Sequence, residues 1–328
     1  MNAEGALDTD VVVASLQRPE SLARCLDALA QQSHPARRIV VVAHSDDHET
    51  QRCVRLGAWQ SVELVLVHEP GVVAALTAGV AATTAPIVAF TDDDATPHSD
   101  WLHRLAAPFA HAAVGAVGGR DVIEGQTEPR TERVGRYRWW GKLDGNHHLG
   151  RGPERDVVVL KGVNMAVRAD LLALPTSGTL HGAGAQRDWE VLTCARVLRC
   201  GSRVVYDPAI EVDHHCAPRK LGPARGELTT ANVNDAAFNA IVASSMLTPW
   251  MLAPRLCYAL CIGHRDAPGL ARTLAAIIRR EPGIAARLRP SFAGSLHGAW
   301  STLANTLGRQ RRRSFVTATE LRNARTAS

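Results

Sequence analysis

Several easily recognised classes are excluded by what this sequence does not contain. Its seven cysteines, Cys25, Cys53, Cys194, Cys200, Cys216, Cys257 and Cys261, form no CxxC pair and no regular framework. Neither a disulfide scaffold nor a paired-thiolate zinc site is therefore expected. There is no HExxH motif, the helical signature of a zinc hydrolase. No internal repeat or low-complexity tract is present. No stretch reads as a membrane span, because the uncharged run Ala236 to Pro254 carries Asn239, Ser244, Ser245, Thr248 and two prolines. The opening residues, Met1 to Asp10, are acidic and lack the basic and apolar regions of a signal peptide. The expectation is a cytoplasmic location, with a peripheral seat on the cytoplasmic face of a membrane as an option.

What is present is an ordinary globular composition, 46% hydrophobic and 21% charged over 328 residues. That length fits one large α/β domain with an appendage, or two domains. The formal net charge of +5 conceals an asymmetry. Residues 1–216 carry 21 Lys and Arg against 27 Asp and Glu, whereas residues 217–328 carry 16 against 5. An acidic body joined to a basic tail points to an anionic partner for the tail. The basic residues are almost all Arg, which reads as genome base composition rather than recognition.

Strand-like and helix-like segments alternate through the first half, the pattern of an α/β fold with a mainly parallel sheet. Runs at Val11–Ala14, Ile39–Val42, Val62–Val67, Ile87–Phe90 and Val114–Val117 read as buried strands, and Val157–Leu160 as a return to the sheet. Helices are expected around Leu22–Leu29, Val72–Ala82, Trp101–Ala110 and Asp188–Arg199, with a last strand at Val204–Tyr206. Residues 120–156 show no period and read as a long functional loop. Beyond residue 217 the strand signal disappears and the remainder looks helical.

The fourth strand runs straight into Thr91-Asp92-Asp93-Asp94. Carboxylates in that place sit at the carboxyl edge of the sheet, where open α/β folds bind ligands. Three adjacent Asp side chains repel one another unless a cation is present, and hard oxygen ligands suit Mg²⁺ or Mn²⁺. The alternative is a solvated acidic turn.

These residues and others in the same order resemble a family 2 glycosyltransferase with the GT-A fold, from about Val11 to Arg219. Ser15-Leu16-Gln17-Arg18-Pro19 occupies the place where the family begins its nucleotide pocket. Gly71 to Gly79 resembles the helix before the metal strand, although Leu76 and Thr77 depart from its usual Ala-Arg-Asn-x-Gly. Val88 to Asp94 is similar to the DxD motif, Gly162-Val163-Asn164-Met165-Ala166 to the acceptor-side turn, and Gly182 to Glu190 to the region that supplies the base. Val212-Asp213-His214 looks like the late histidine of the metal shell.

The resemblance implies an inverting transfer from a nucleotide-sugar donor to an acceptor hydroxyl, dependent on Mg²⁺ or Mn²⁺. Arg18, Asp47, Asp92, Asp93 and Asp94 would bind the donor. Asp94 and His214 would hold the metal, with His215 the rival ligand. Asn164, Trp189 and Glu190 would meet the acceptor, a glycan, a lipid-linked intermediate or a small molecule of the kind used in cell-envelope polysaccharide synthesis. In the second loop, Asp47 could contact the base or ribose while Asp46 caps a turn. The competing readings are a sugar nucleotidyltransferase, whose Gly-rich basic loop is absent after the first strand, and a non-catalytic glycan- or lipid-binding relative.

An inverting transfer needs a carboxylate to take the acceptor proton. Asp188, opening a helix after a Gly-rich loop, fits that role; the alternatives are that it merely caps the helix or that Glu190 is the base. Trp140, beside Trp139 and Gly141, offers a ring for stacking on a sugar or lipid, or closes the core. The expected organisation is a GT-A domain over residues 1–216 and a helical basic region over 217–328. In the latter, Leu270, Leu274, Ile277 and Ile278 with Arg272, Arg279 and Arg280 have the pattern of an interfacial helix on anionic lipid. A helix packed on the catalytic domain has the same pattern. The basic run 309–313 lacks a nucleic-acid reading motif, so nucleic acid is not an expected partner.

Overall fold

The computed structural model describes residues 7–126, 128–182, 184, 186–216, 229–247, 249–306 and 314–326. The first half is built from β1 (Thr9–Ser15), α1 (Pro19–Ala30), β2 (Arg38–His44), α2 (His48–Leu56), β3 (Val62–Val67) and α3 (Val72–Ala82). There follow β4 (Ile87–Asp92), β5 (Ala95–Pro97), α4 (Trp101–Ala106) and β6 (Val114–Ile123). The middle of the chain holds the short strands β7 (Arg136–Tyr137), β8 (Leu143–Asp144) and β9 (Arg155–Asp156), then β10 (Met165–Arg168) and β11 (Ala173–Pro175). After α5 (Trp189–Arg199) and β12 (Arg203–His214) come α6 (Thr230–Leu247), α7 (Leu252–Cys261), α8 (Leu270–Ile278) and α9 (Leu288–Thr306). β13 (Phe315–Thr317) and α10 (Ala318–Thr326) complete the described chain.

One nine-stranded sheet organises the molecule, in the order β3-β2-β1-β4-β10-β6-β12-β5, with β9 paired to β12. β1, β2, β3 and β4 are parallel, as are β6 and β12, while β10 enters antiparallel between β4 and β6. β1 is apolar at every central position because both faces of the sheet are covered. Val12 joins the cluster under α3 and α5, whereas Val11 and Val13 join the one under α1 and α4. The spacing of Leu22, Cys25, Leu26 and Leu29 buries one stripe of α1, and Pro19 starts that helix where its missing N–H costs nothing.

Two expectations about strands need correction. Val157–Leu160 is buried but is not a strand: Val157 bonds to Val204, while the amides of Val158 and Val159 both turn to the Gly135 carbonyl. Nor does strand end with β12, since β13 pairs antiparallel with β11. The C-terminal part returns there to the chain before residue 217, in a two-stranded sheet separate from the large one. α10 lies on α3, and Arg322 donates to the Thr83 hydroxyl and the Ala85 carbonyl. α6 packs on α5 and α9, with Gly294 and Gly298 of α9 set directly against the α6 backbone. All seven cysteines are free. The basic run 309–313 lies outside the described residues.

Candidate functional site

The carboxyl ends of β1, β4 and β12 converge, and their last residues make the site. Asp92 ends β4, level with Ala14 of β1. The antiparallel pairing of β12 with β5 sets His214 opposite Ala95, and the His215 amide donates to the Asp94 carbonyl at 2.9 Å. Ligand atoms of Asp92, Asp94 and His214 consequently lie within 4.8 Å of one another. His214 Nε2 is 3.4 Å from Asp94 and 4.0 Å from Asp92. Strand alternation turns His215 the other way, to the Thr96 hydroxyl on the surface.

His214 is oriented from behind. Its Nδ1 faces Asp121 at 3.6 Å, and Asp121 is also paired with Lys161. Burial opposes charging the imidazole, but the Asp121, Asp94 and Asp92 carboxylates outweigh it and raise the pKa to about 9. The same environment fits a divalent cation, which would take the place of that proton: two carboxylates and an imidazole whose other nitrogen faces a carboxylate.

Beside this cluster runs a connected polar network. Arg18 reaches Asp93 at 2.5 Å and Asp94 at 2.9 Å, and the Ser15 hydroxyl donates to Asp93. Asp93 is fully buried, so burial raises its pKa to about 7 even though Arg18 and Ser15 work against the shift. The middle Asp of the triplet thus faces inward and anchors Arg18. Asp47 needs a correction. Its two carboxylate oxygens accept from the amides of Thr50, in the first turn of α2, and Gln17, held at φ 54°. It is buried and caps a helix, while Asp46, expected to cap a turn, is exposed.

At the start of α5, Trp189 stands edge-on to Phe90 with ring centroids 5.5 Å apart, and the Gly162 amide donates to Glu190. A Cβ on Gly162 would collide with the Trp189 ring, which is why this turn carries glycine. Asp188 immediately precedes Trp189, the residue packed on Phe90 of β4. It occupies the N-cap position of α5 in the left-handed region, φ 73°, without making a cap hydrogen bond. A non-glycine residue held there is strained, at a cost of about 1–3 kcal/mol. Burial raises its pKa, opposed by Arg187, and burial also raises Glu190, to about 7.

Among known proteins, the model of the family described as "Glycosyltransferase like family 2" matches residues 8–229. The chain belongs to that family. A pre-mycofactocin glycosyltransferase of Mycobacterium tuberculosis is 26% identical over 63% of the chain and 42% of its own length. An uncharacterized glycosyltransferase of the same organism is 31% identical over 66% and 88%. Glycosyltransferase AglE of Haloferax volcanii is 28% identical over 33% and 38%. The chain thus spans about two fifths of the length of the first curated relatives it matches. Among solved structures, the mannosyltransferase PcManGT of Pyrobaculum calidifontis, in complex with GDP-Man and Mn²⁺, superposes with a TM-score of 0.52. It shares 19% identity, with 94% of this chain and 91% of that one covered. GalNAc-T7 with UDP, GalNAc and Mn²⁺ gives 0.55 at 12% identity, over 80% and 54%. The fold is GT-A.

Within this family 2 chain, two of the expected acceptor residues serve the scaffold instead. Asn164 is fully buried, accepting from the Trp101 indole and donating to the carbonyls of Arg120 and Ile210, so no part of its amide is left for a sugar. Trp189 is a core residue packed on Phe90 and Gly162. Trp140 sits edge-on to Tyr258 of α7, half-buried, while Trp139 is 78% exposed. Three residues that sequence reasoning passed over matter as much. Asp121 and Lys161 back His214, but in sequence neither belongs to a motif that marks it. Asn239 of α6 accepts from the His181 amide and donates to the carbonyls of both His181 and Arg187, fixing both ends of the loop that leads into Asp188. The same loop is tied to the start of α3, where the Gln186 side chain accepts from Val73.

Proposed function

We propose that this chain transfers a sugar from a nucleotide-diphosphate donor to an acceptor hydroxyl with inversion, and that it requires Mg²⁺ or Mn²⁺. The observation that carries the reading is the approach of Asp92, Asp94 and His214 within 4.8 Å at the carboxyl edge of the sheet. A cation bound there would offset the charge that develops on the leaving diphosphate. Asp92, Asp94 and His214 hold it. Arg18, kept in place by buried Asp93, presents its guanidinium beside the same site and orients the donor phosphates.

Asp188 takes the proton of the attacking hydroxyl. Its carboxylate accepts no hydrogen bond among the described residues, and its raised pKa brings it nearer the operating pH of a general base. Trp140 and Glu190 face the acceptor side of the cleft in this reading. The Mn²⁺ and nucleotide-sugar complexes of PcManGT and GalNAc-T7, proteins of the same fold, support the donor class.

The test is a panel of nucleotide sugars assayed for transfer or hydrolysis with and without chelator. Turnover should be lost on chelation, return with Mn²⁺ or Mg²⁺, and be lost in Asp94→Ala at any cation concentration. Turnover that survives exhaustive chelation would refute the metal-dependent reading.

A further inference from the structure

Helix α8 is built inside out. Its small residues, Thr273 and Ala276, face the protein, and its large aliphatic ones face water. Leu270 is 49% exposed, Leu274 59%, Ile277 55% and Ile278 81%. Positions 270, 274, 277 and 278 fall on one side of a helix, so these four side chains form a single apolar ridge. Monomeric soluble proteins seldom leave such a ridge uncovered. The neighbouring helix α9 presents a second exposed row, Leu296, Trp300 and Leu303, at the same helical spacing.

The charge around the ridge is of one sign. Arg272, Arg279 and Arg280 are all exposed on or just beyond α8. Between residues 265 and 289 the only acids are Asp266 and Glu281. Asp266 is already paired with Arg187 at 2.6 Å, and Glu281 lies 4.0 Å from Arg279. An aliphatic ridge inserted at the headgroup level, with the guanidinium groups of Arg279 and Arg280 at the end of the same helix to reach the phosphates, matches the two forces that hold an interfacial helix on a bilayer. No helix among the described residues is long and apolar enough to cross a membrane, so the contact would be with one leaflet.

We infer that the α8 ridge, Leu270, Leu274, Ile277 and Ile278 with Arg272, Arg279 and Arg280, docks this protein on an anionic bilayer surface. The docked helix is joined to the catalytic loop. Asp266, four residues before α8, holds Arg187, the neighbour of Asp188. The face that meets lipid and the face that receives the acceptor are thereby fixed to one another.

The full chain is sedimented with vesicles of pure phosphatidylcholine and with vesicles of phosphatidylcholine and phosphatidylglycerol in equal parts. Binding is expected to the mixed vesicles and to weaken as salt is raised toward the point where the surface potential is screened. Leu274→Asp with Ile278→Asp should reduce it about tenfold or more, and Arg279→Glu with Arg280→Glu should remove the preference for the anionic lipid. Circular dichroism and donor hydrolysis of both double variants, neither of which touches the catalytic residues, report whether they fold. The inference is overturned if the folded wild-type chain stays in solution with the mixed vesicles, or if a folded ridge variant binds as well as wild type. A concentration-dependent dimer that the ridge variant abolishes overturns it too, by making a second copy the occupant. Vesicle binding does not depend on turnover, so it is decided separately from the transferase reading.

Discussion

The two walls of the cleft are held in different ways. The proposed donor wall is internal to the sheet: Ser15, Arg18, Asp93, Asp94, Asp121 and His214 come from strand ends or the turns beside them and pair with one another. The proposed base wall is suspended from outside the sheet. Asp188 follows a loop whose two ends are bonded to Asn239 of α6 and whose Arg187 is paired with Asp266, both from the C-terminal part. A site for diphosphate and metal must be rigid before the substrate arrives, because preorganised charge is what lowers the barrier. The C-terminal part is then the support of the loop that carries Asp188, and not only an appendage that carries basic charge.

The strongest way to break this comparison is to remove the base. Asp188→Asn should lower turnover by about 10²–10⁴-fold, the usual worth of a general base, with donor affinity unchanged because the donor wall is independent. The pH profile gives a second reading. The base must be ionised, so kcat/KM should fall as pH drops through its raised pKa, and this acid limb should vanish in Asp188→Asn. If the limb instead persists there near pH 7 and disappears in Glu190→Gln, Glu190 is the base, since burial raises that carboxyl to about 7. The next effect belongs to the donor wall. Asp121→Asn should weaken Mn²⁺ binding by about 10–100-fold, as loss of the carboxylate behind a ligating histidine does, and calorimetric titration of the metal reads it without turnover.

The outline of the fold could be read from the sequence because burial on both faces leaves continuous apolar runs. β3 and α3 fall within the residues the pattern marked. The Asp triplet was visible for the same reason, three charges ending a buried strand. Other features had no local signal. Val157–Leu160 is as apolar as any strand, yet its amides bond to a crossing segment rather than to a ladder. Asp46 and Asp47 are adjacent and identical in chemistry, and only the chain's path decides which one turns inward to Gln17 and Thr50. Asn164 stood in the acceptor-side turn, but antiparallel β10 carries that turn into the core. The α8 ridge shows the converse. The amphipathic pattern was plain, and whether the apolar face met protein or solvent was a tertiary fact.

A smaller effect tests the suspension of the base wall. Asn239→Ala leaves the His181 amide and the His181 and Arg187 carbonyls without their partner, at a cost of about 1–3 kcal/mol for a buried polar group. Melting temperature should fall, and kcat should fall with it while KM for the donor holds. A matched loss of donor affinity would show that the two walls are not independent.

The smallest effect separates a cap from a binding residue on the donor wall itself. Asp47→Ala removes the acceptor for Thr50 and Gln17, and the loss of a helix cap costs about 1 kcal/mol. If Asp47 is only the clamp described here, the variant loses that stability and keeps its preference among nucleobases, since the carboxylate is buried and turned to main-chain amides. A change in base preference at unchanged stability would return Asp47 to the nucleotide pocket and detach the Ser15–Arg18 turn from α2 as its support. Gln17, held at positive φ by that carboxylate, sits between Ser15 and Arg18. Unclamping it should therefore reach the donor phosphates only through Arg18, as a modest rise in donor KM that excess cation does not correct.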